Sequence, residues 1–193
     1  PESDMGNAEI WEQLFPQLYL SRKVLPNCHG FGKYRGGNGW QSCLMTHRSN
    51  QLVLTTELCQ ARAFDHQGVF GGYPGKIHYV YLLTDTDIKE RIENQDELPT
   101  GEGDNPLDPE ITKLLGGNCK ITHGNMTAEK PMKEGDVLLM QYRGMGGFGD
   151  PLERKPTMIE ADLENGIVTP EMVEKICGVV VEQNKTDDRL TIS

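Results

Sequence analysis

Apolar residues along this chain fall into short bursts of two kinds. Residues 42–47 (SCLMTH), 76–83 (KIHYVYLL) and 137–142 (VLLMQY) are compact runs bounded by turn residues, the pattern of strands. Residues 51–57 and 177–182 predict two more, with Ser49-Asn50 as a hairpin turn before the first of them. Helical stretches are expected at 87–94, at 109–115 with Asp108 as cap, at 157–164 and at 170–176. The third stops at Asn165-Gly166; the fourth has Thr169 as N-cap and Pro170 in its first turn. Near the start, Ile10, Trp11, Leu14 and Phe15 would share one face of a short helix, which Pro16 limits. An extended segment fits that stretch equally well. Lys133-Glu134-Gly135-Asp136 reads as the turn before 137–142.

Short strands, glycine-rich turns and a small C-terminal helical pair predict an α+β, mainly β architecture; no alternating βαβ pattern is present. One domain over 1–193 suits the length. Within it, 84–125 is polar and acidic and reads as an insertion, and 183–193 as a loose tail.

Charge narrows the function classes. A net charge of -10 argues against a phosphate-tracking surface, hence against nucleic acid, and against anionic lipid. No apolar run approaches the roughly 20 residues of a membrane helix, and the polar start shows no signal peptide. The five cysteines are widely spaced without a CxxC pair, which suits reduced thiols in the cytoplasm better than structural zinc.

The candidate chemistry lies in three glycine loops. The first, NCHGFGKYRGGNGW over 27–40, sets Lys33 and Arg35 beside Gly36 and Gly37, where cations and exposed N–H groups would hold an anion. A tight turn with a surface salt bridge is the alternative. The second, QGVFGGYPG over 67–75, carries Phe70, Tyr73 and Pro74, which would wall a pocket, cap a core or fill an interface. The third, GMGGFGDP over 144–151, offers Gly146 and Gly147 as further anion contacts. Its Asp150 is a candidate metal ligand or base, or a brace for the turn. Glu153 and Arg154 follow as a pair or as solvated charges. His66 beside Asp65 is a candidate catalytic base, and Cys28-His29 a candidate metal or nucleophile pair. No HExxH or Gly-x-Ser-x-Gly motif occurs.

The order of these loops resembles a known family. GNAEIWEQLFPQLYLSRKVLPNCHGFGKYRGGNGW is similar to the hydantoinase B pattern of an acidic-aromatic start, a Pro and a Gly-Lys/Arg-Tyr/Phe-Arg-Gly-Gly turn. GGFGDPLERKPTMIEADLENGIVTPEMVEKICGVVV resembles its closing signature, so the chain looks like a C-terminal portion of such a subunit. QGVFGGYPG, GEGD and KPMKEGD look more like the acetone and acetophenone carboxylase branch than like plain hydantoinases. The resemblance implies a cytoplasmic complex in which a hydantoinase-A-like partner binds ATP and the hydantoinase-B-like subunit carboxylates a small ketone. It also implies a divalent metal, manganese, magnesium or zinc, whose ligands, like the ATP site, are expected in the remaining N-terminal portion or in partners. An ATP-dependent hydantoinase or lactam hydrolase, and a non-catalytic assembly module, are the competing readings.

Overall fold

A computed structural model describes residues 6–53, 55–56, 66–76, 79–100, 110–123, 126–127, 131–142, 144–183 and 190–192. The elements run α1 (Ala8–Leu14), β1 (Gln17–Val24), β2 (Trp40–Thr46), β3 (Thr55–Thr56), β4 (Tyr79–Thr84), α2 (Ile88–Asn94), α3 (Glu110–Leu114), β5 (Asn118–His123), β6 (Met126–Thr127) and β7 (Val137–Tyr142). A 3-10 turn (Pro151–Glu153), α4 (Pro156–Glu164), α5 (Pro170–Cys177), β8 (Val181–Gln183) and β9 (Leu190–Ile192) complete the chain. This is the mixed α+β class that the sequence predicts. Two compact units emerge, and the chain passes repeatedly between them: a sheet unit of 1–23, 41–60 and 78–141, and a loop unit of 24–40, 61–77 and 142–193.

The sheet unit is built on five strands in the order β1-β2-β7-β4-β5. β4 runs antiparallel to both neighbours, with Val80 opposite Met140 on β7 and Tyr81 opposite Ile121 on β5. β2 buries six consecutive residues, 41–46, so both its faces are covered. Cys43, Met45, Tyr81, Leu83, Val137 and Leu139 form the core, closed by Ile88 of α2 and by Ile111 and Leu115 at α3. Each fully buried Leu or Ile stabilises by roughly 1.5–3 kcal/mol. The acidic stretch 84–125, read from sequence as an excursion, thus contributes an edge strand and three core side chains. Ile88, Ile111 and Leu115 turn inward, while neighbouring charges such as Lys89, Glu90 and Lys113 remain solvated.

At the N-terminus both alternatives occur in succession. The Asn7 side chain accepts from the Glu9 and Ile10 N–H groups and starts α1, Pro16 follows its end, and β1 begins at Gln17. The expected apolar face of α1 is not packed: Ile10, Trp11 and Leu14 are exposed, and the Trp11 and Phe15 rings stack 5.3 Å apart. Among the described residues, the strands flanking Ser49-Asn50 do not pair with each other: β2 lies between β1 and β7. Leu52 is bridged to Met132, and β3 pairs with β6. The 133–136 turn forms as predicted. Gly135 has φ +88°, and the Asp136 carboxylate accepts from the Lys133 and Asp85 N–H groups.

The loop unit has its own core of Phe31, Ile159, Leu163, Val168, Val173 and Cys177. Val173 and Cys177 lie one turn apart, so α5 extends through Cys177, ends at Gly178 with φ +66°, and shortens the strand expected over 177–182. Thr169 precedes α5 but does not cap it with its side chain. Asn27 engages it instead, donating to Thr169 Oγ1 and accepting from the Thr169 N–H, both at 3.0 Å. The tail is not loose throughout: β9 pairs antiparallel with β8, and Ile192 packs against the core. Among the described residues, no helix is long and apolar enough to cross a membrane.

Candidate functional site in the glycine loops

The three glycine loops all belong to the loop unit, and their backbones bind one another. Gly30 N–H donates to Met145 O at 2.7 Å, and Tyr34 and Phe148 exchange hydrogen bonds at 2.8 and 3.0 Å. Tyr73 N–H donates to Phe31 O, Gly147 N–H to Tyr73 O and Val69 N–H to Gly147 O. Glycine is required because the strands of this lattice touch backbone to backbone. A Cβ on Gly36 would lie 2.0 Å from Met145 O, and one on Gly147 would lie 2.2 Å from Phe31 O.

This lattice uses much of the hydrogen-bonding capacity that the sequence offers to an anion. Gly36 N–H donates to Gly30 O, Gly147 N–H is held by Tyr73, and Gly37 O accepts from Met145 N–H. Gly146 packs so closely that its Cβ would lie 2.1 Å from Gln67 O. The cations are engaged as well. Lys33 pairs with Glu153 at 2.9 Å on the surface. Arg35 Nε donates to Asp162 Oδ1 at 3.0 Å and its Nη1 to Gly36 O. Arg154 Nη2 donates to Asp162 Oδ2 at 2.5 Å, and its Nη1 reaches Lys33 O. A buried carboxylate therefore sits between two guanidinium groups, with one positive charge in excess.

Asp162 was not among the sequence candidates, yet it left a signal. With Ile159 and Leu163 it occupies the buried face of α4, and a carboxylate on an apolar stripe requires a cationic partner. His29, buried nearby, donates from Nδ1 to Asn38 Oδ1 at 2.6 Å and packs on Phe31 with ring centroids 4.7 Å apart. Burial lowers its pKa from 6.5 to about 4, and Arg35 and Arg154 add to this against the opposing Asn38 bond and Asp162 charge. The imidazole is therefore neutral at physiological pH, with its proton on Nδ1.

The remaining candidates do not converge on this cluster. Asp150 caps the 3-10 turn, accepting from the Leu152 N–H at 2.9 Å, which is the brace of the sequence alternatives. His66 O accepts from the Gly75 N–H, and Asp65 lies outside the described residues. Cys28 and His29 diverge, the thiol donating to Tyr142 O. Phe70 and Tyr73 are exposed. Among the described residues, no three His, Cys, Asp or Glu side chains converge to hold a metal, and His29 Nδ1 is committed to Asn38. These residues do not fit the metal that the resemblance implies.

Known proteins resemble this chain in sequence and in fold. Residues 1–151 match the family model described as Hydantoinase B/oxoprolinase. The chain is 33% identical over 95% of its length to the acetone carboxylase alpha subunit of Xanthobacter autotrophicus, covering 24% of that protein. It is 28% identical over 92% of its length to the acetophenone carboxylase delta subunit of Aromatoleum aromaticum, covering 26% of it. A nucleotide-free structure of acetone carboxylase superposes on the whole chain with TM-score 0.84 and 32% identity, over 25% of that chain. An ATP-dependent caprolactamase from Pseudomonas jessenii shares the fold, with TM-score 0.63 and 20% identity over 94% of this chain and 26% of its own. The chain thus spans about a quarter of the length of the relatives it matches.

Proposed function

The chain belongs to the hydantoinase B/oxoprolinase family, and on that premise we propose that it forms part of the catalytic subunit of an ATP-dependent ketone carboxylase. Acetone or acetophenone and bicarbonate are the proposed substrates. The observation that carries this reading is the identity with the acetone carboxylase alpha subunit, sustained over 95% of the chain. ATP would be bound by a hydantoinase-A-type partner, and the divalent metal by residues outside this chain. Phosphoryl transfer from ATP would supply the activation that bicarbonate and an enolisable ketone both need, and fixed cations would stabilise the anions formed.

Within that reading the loop unit is a rigid wall of the subunit. Arg35 is its proposed anion contact. Its Nε and Nη1 are bonded, its Nη2 has no hydrogen-bond partner among the described residues, and its side chain keeps 28% exposure. A second reading, in which this part only scaffolds the complex, is favoured by one observation. Lys33, Arg35 and Asp150 each engage a different partner rather than a shared cleft. A lactam hydrolase is the remaining alternative; the caprolactamase supports the shared fold only.

The test is ATP turnover by the purified complex that carries this chain, identified by native mass spectrometry and challenged with ketones plus bicarbonate and with cyclic amides. Stimulation by a ketone only with bicarbonate present is expected. Stimulation by cyclic amides alone would replace the carboxylase reading with hydrolysis. Under the scaffold reading Arg35→Lys leaves the bicarbonate KM unchanged, whereas the loss of an anion contact raises it.

A further inference from the structure

Four exposed side chains of the loop unit form one apolar face. Tyr34, Val69, Phe70 and Phe148 are 53, 53, 79 and 47% exposed. The Phe148 ring lies 5.2 Å from Phe70 and 6.4 Å from Tyr34, and Phe148 is bridged through the backbone to Tyr34 and Val69. These residues come from all three glycine loops, so the face inherits the rigidity of the lattice beneath it. Phe70 holds φ at +52°, a left-handed conformation that an L residue with a bulky side chain disfavours by about 1–2 kcal/mol. The turn thus directs an aromatic ring outward from this unit at the expense of backbone strain. The exposed Lys33–Glu153 ion pair beside these loops adds polar groups of the kind that rim a packed interface.

A pre-organised aromatic face of this kind marks a contact surface. The length relation indicates what covers it. The chain corresponds to about a quarter of the acetone carboxylase alpha subunit, and in the matched structure that quarter is part of one longer polypeptide. A quarter of a polypeptide packs on the rest through the surfaces that are apolar in the quarter alone. Covering the face within one polypeptide also hides it during folding, before any other subunit arrives. We infer that the Tyr34–Phe70–Phe148 face packs against an apolar segment of the same hydantoinase-B-type polypeptide that lies outside residues 1–193. The inference rests on family membership and length, not on carboxylation, so it stands or fails separately from the proposed activity.

The experiment places the photo-crosslinking residue p-benzoylphenylalanine at Phe70 and, separately, at Phe148, with exposed Glu171 of α5 as the control position. It uses the intact complex, assembled from mixed isotopically light and heavy subunits. Because both positions are exposed aromatics, the folded state is retained, and an unchanged complex mass checks this; Tyr34 serves if either variant fails to assemble. The expected result is crosslinking to hydantoinase-B-type peptides outside this stretch, within one isotopic copy, at several-fold higher yield than from Glu171. Crosslinks to a hydantoinase-A-type chain, crosslinks between light and heavy copies, or a yield no higher than the control would overturn the inference.

Discussion

The sheet unit and the loop unit are stabilised in opposite ways. In the former, side chains do the packing: Tyr81, Leu83, Leu139 and Ile88 interdigitate, and the stabilisation scales with the apolar area they bury. In the latter, the loops meet where side chains are absent. Gly36 and Gly147 press on carbonyl groups, and an Arg35–Asp162–Arg154 cluster centred on the buried carboxylate ties loop one and the 3-10 turn to α4. The sheet unit should therefore tolerate changes of shape at constant apolarity, whereas the loop unit should tolerate neither atoms added where its glycines touch carbonyl groups nor charge lost from the Asp162 cluster.

The largest expected effect is at Asp162. The near-isosteric Asp162→Asn leaves the buried Arg154 guanidinium and the partly exposed Arg35 without their counter-charge and should destabilise by about 3–5 kcal/mol. In the sheet unit, Leu139→Met, which changes shape but not apolarity, should cost under about 1.5 kcal/mol. Denaturant unfolding of both variants reads the contrast, and equal costs would break it.

Next is acid sensitivity. The folded-state pKa of His29, about 4, lies below the unfolded value of 6.5, so the unfolded chain binds the extra proton. Its contribution is complete above pH 6.5 and is lost as pH falls towards 4, a span of roughly 3 kcal/mol. His29→Gln should flatten the loss of thermal stability between pH 7 and 4.5. An unchanged slope in the variant would remove His29 as its source.

Adjacent glycines give a smaller but sharper test. Gly36→Ala should cost about 1–3 kcal/mol or more through its carbonyl collision. At Gly37 a Cβ would meet nothing closer than 3.9 Å, so Gly37→Ala should be neutral or stabilise by about 0.4–1 kcal/mol. The smallest effect is at the surface: Lys33→Ala should leave the melting temperature unchanged, since its pair with Glu153 is solvated.

These contrasts also indicate what the sequence made legible. The β4 and β7 strands, α2, α4, α5 and the Gly135 turn were readable because local periodicity and turn chemistry decide them. Ile88, Ile111 and Leu115 were obscured by the acidic residues around them, and the tail strand by its polar surroundings. The division into units follows long-range contacts that recross the chain, which composition does not encode. In the candidate site the glycine loops were identified, but not their mutual binding. That depends on which carbonyl lies opposite each glycine, as Met145 O lies opposite Gly36. Asp162 was missed although its place beside Leu163 on an apolar stripe was visible.

The most direct test of the functional account is incorporation of isotopically labelled bicarbonate by the purified complex carrying this chain, with ATP and acetone or acetophenone supplied. The account predicts label in a 3-oxoacid, formed only when both ATP and the ketone are present. ATP-dependent hydrolysis of a cyclic amide with no label fixed from any ketone would contradict it.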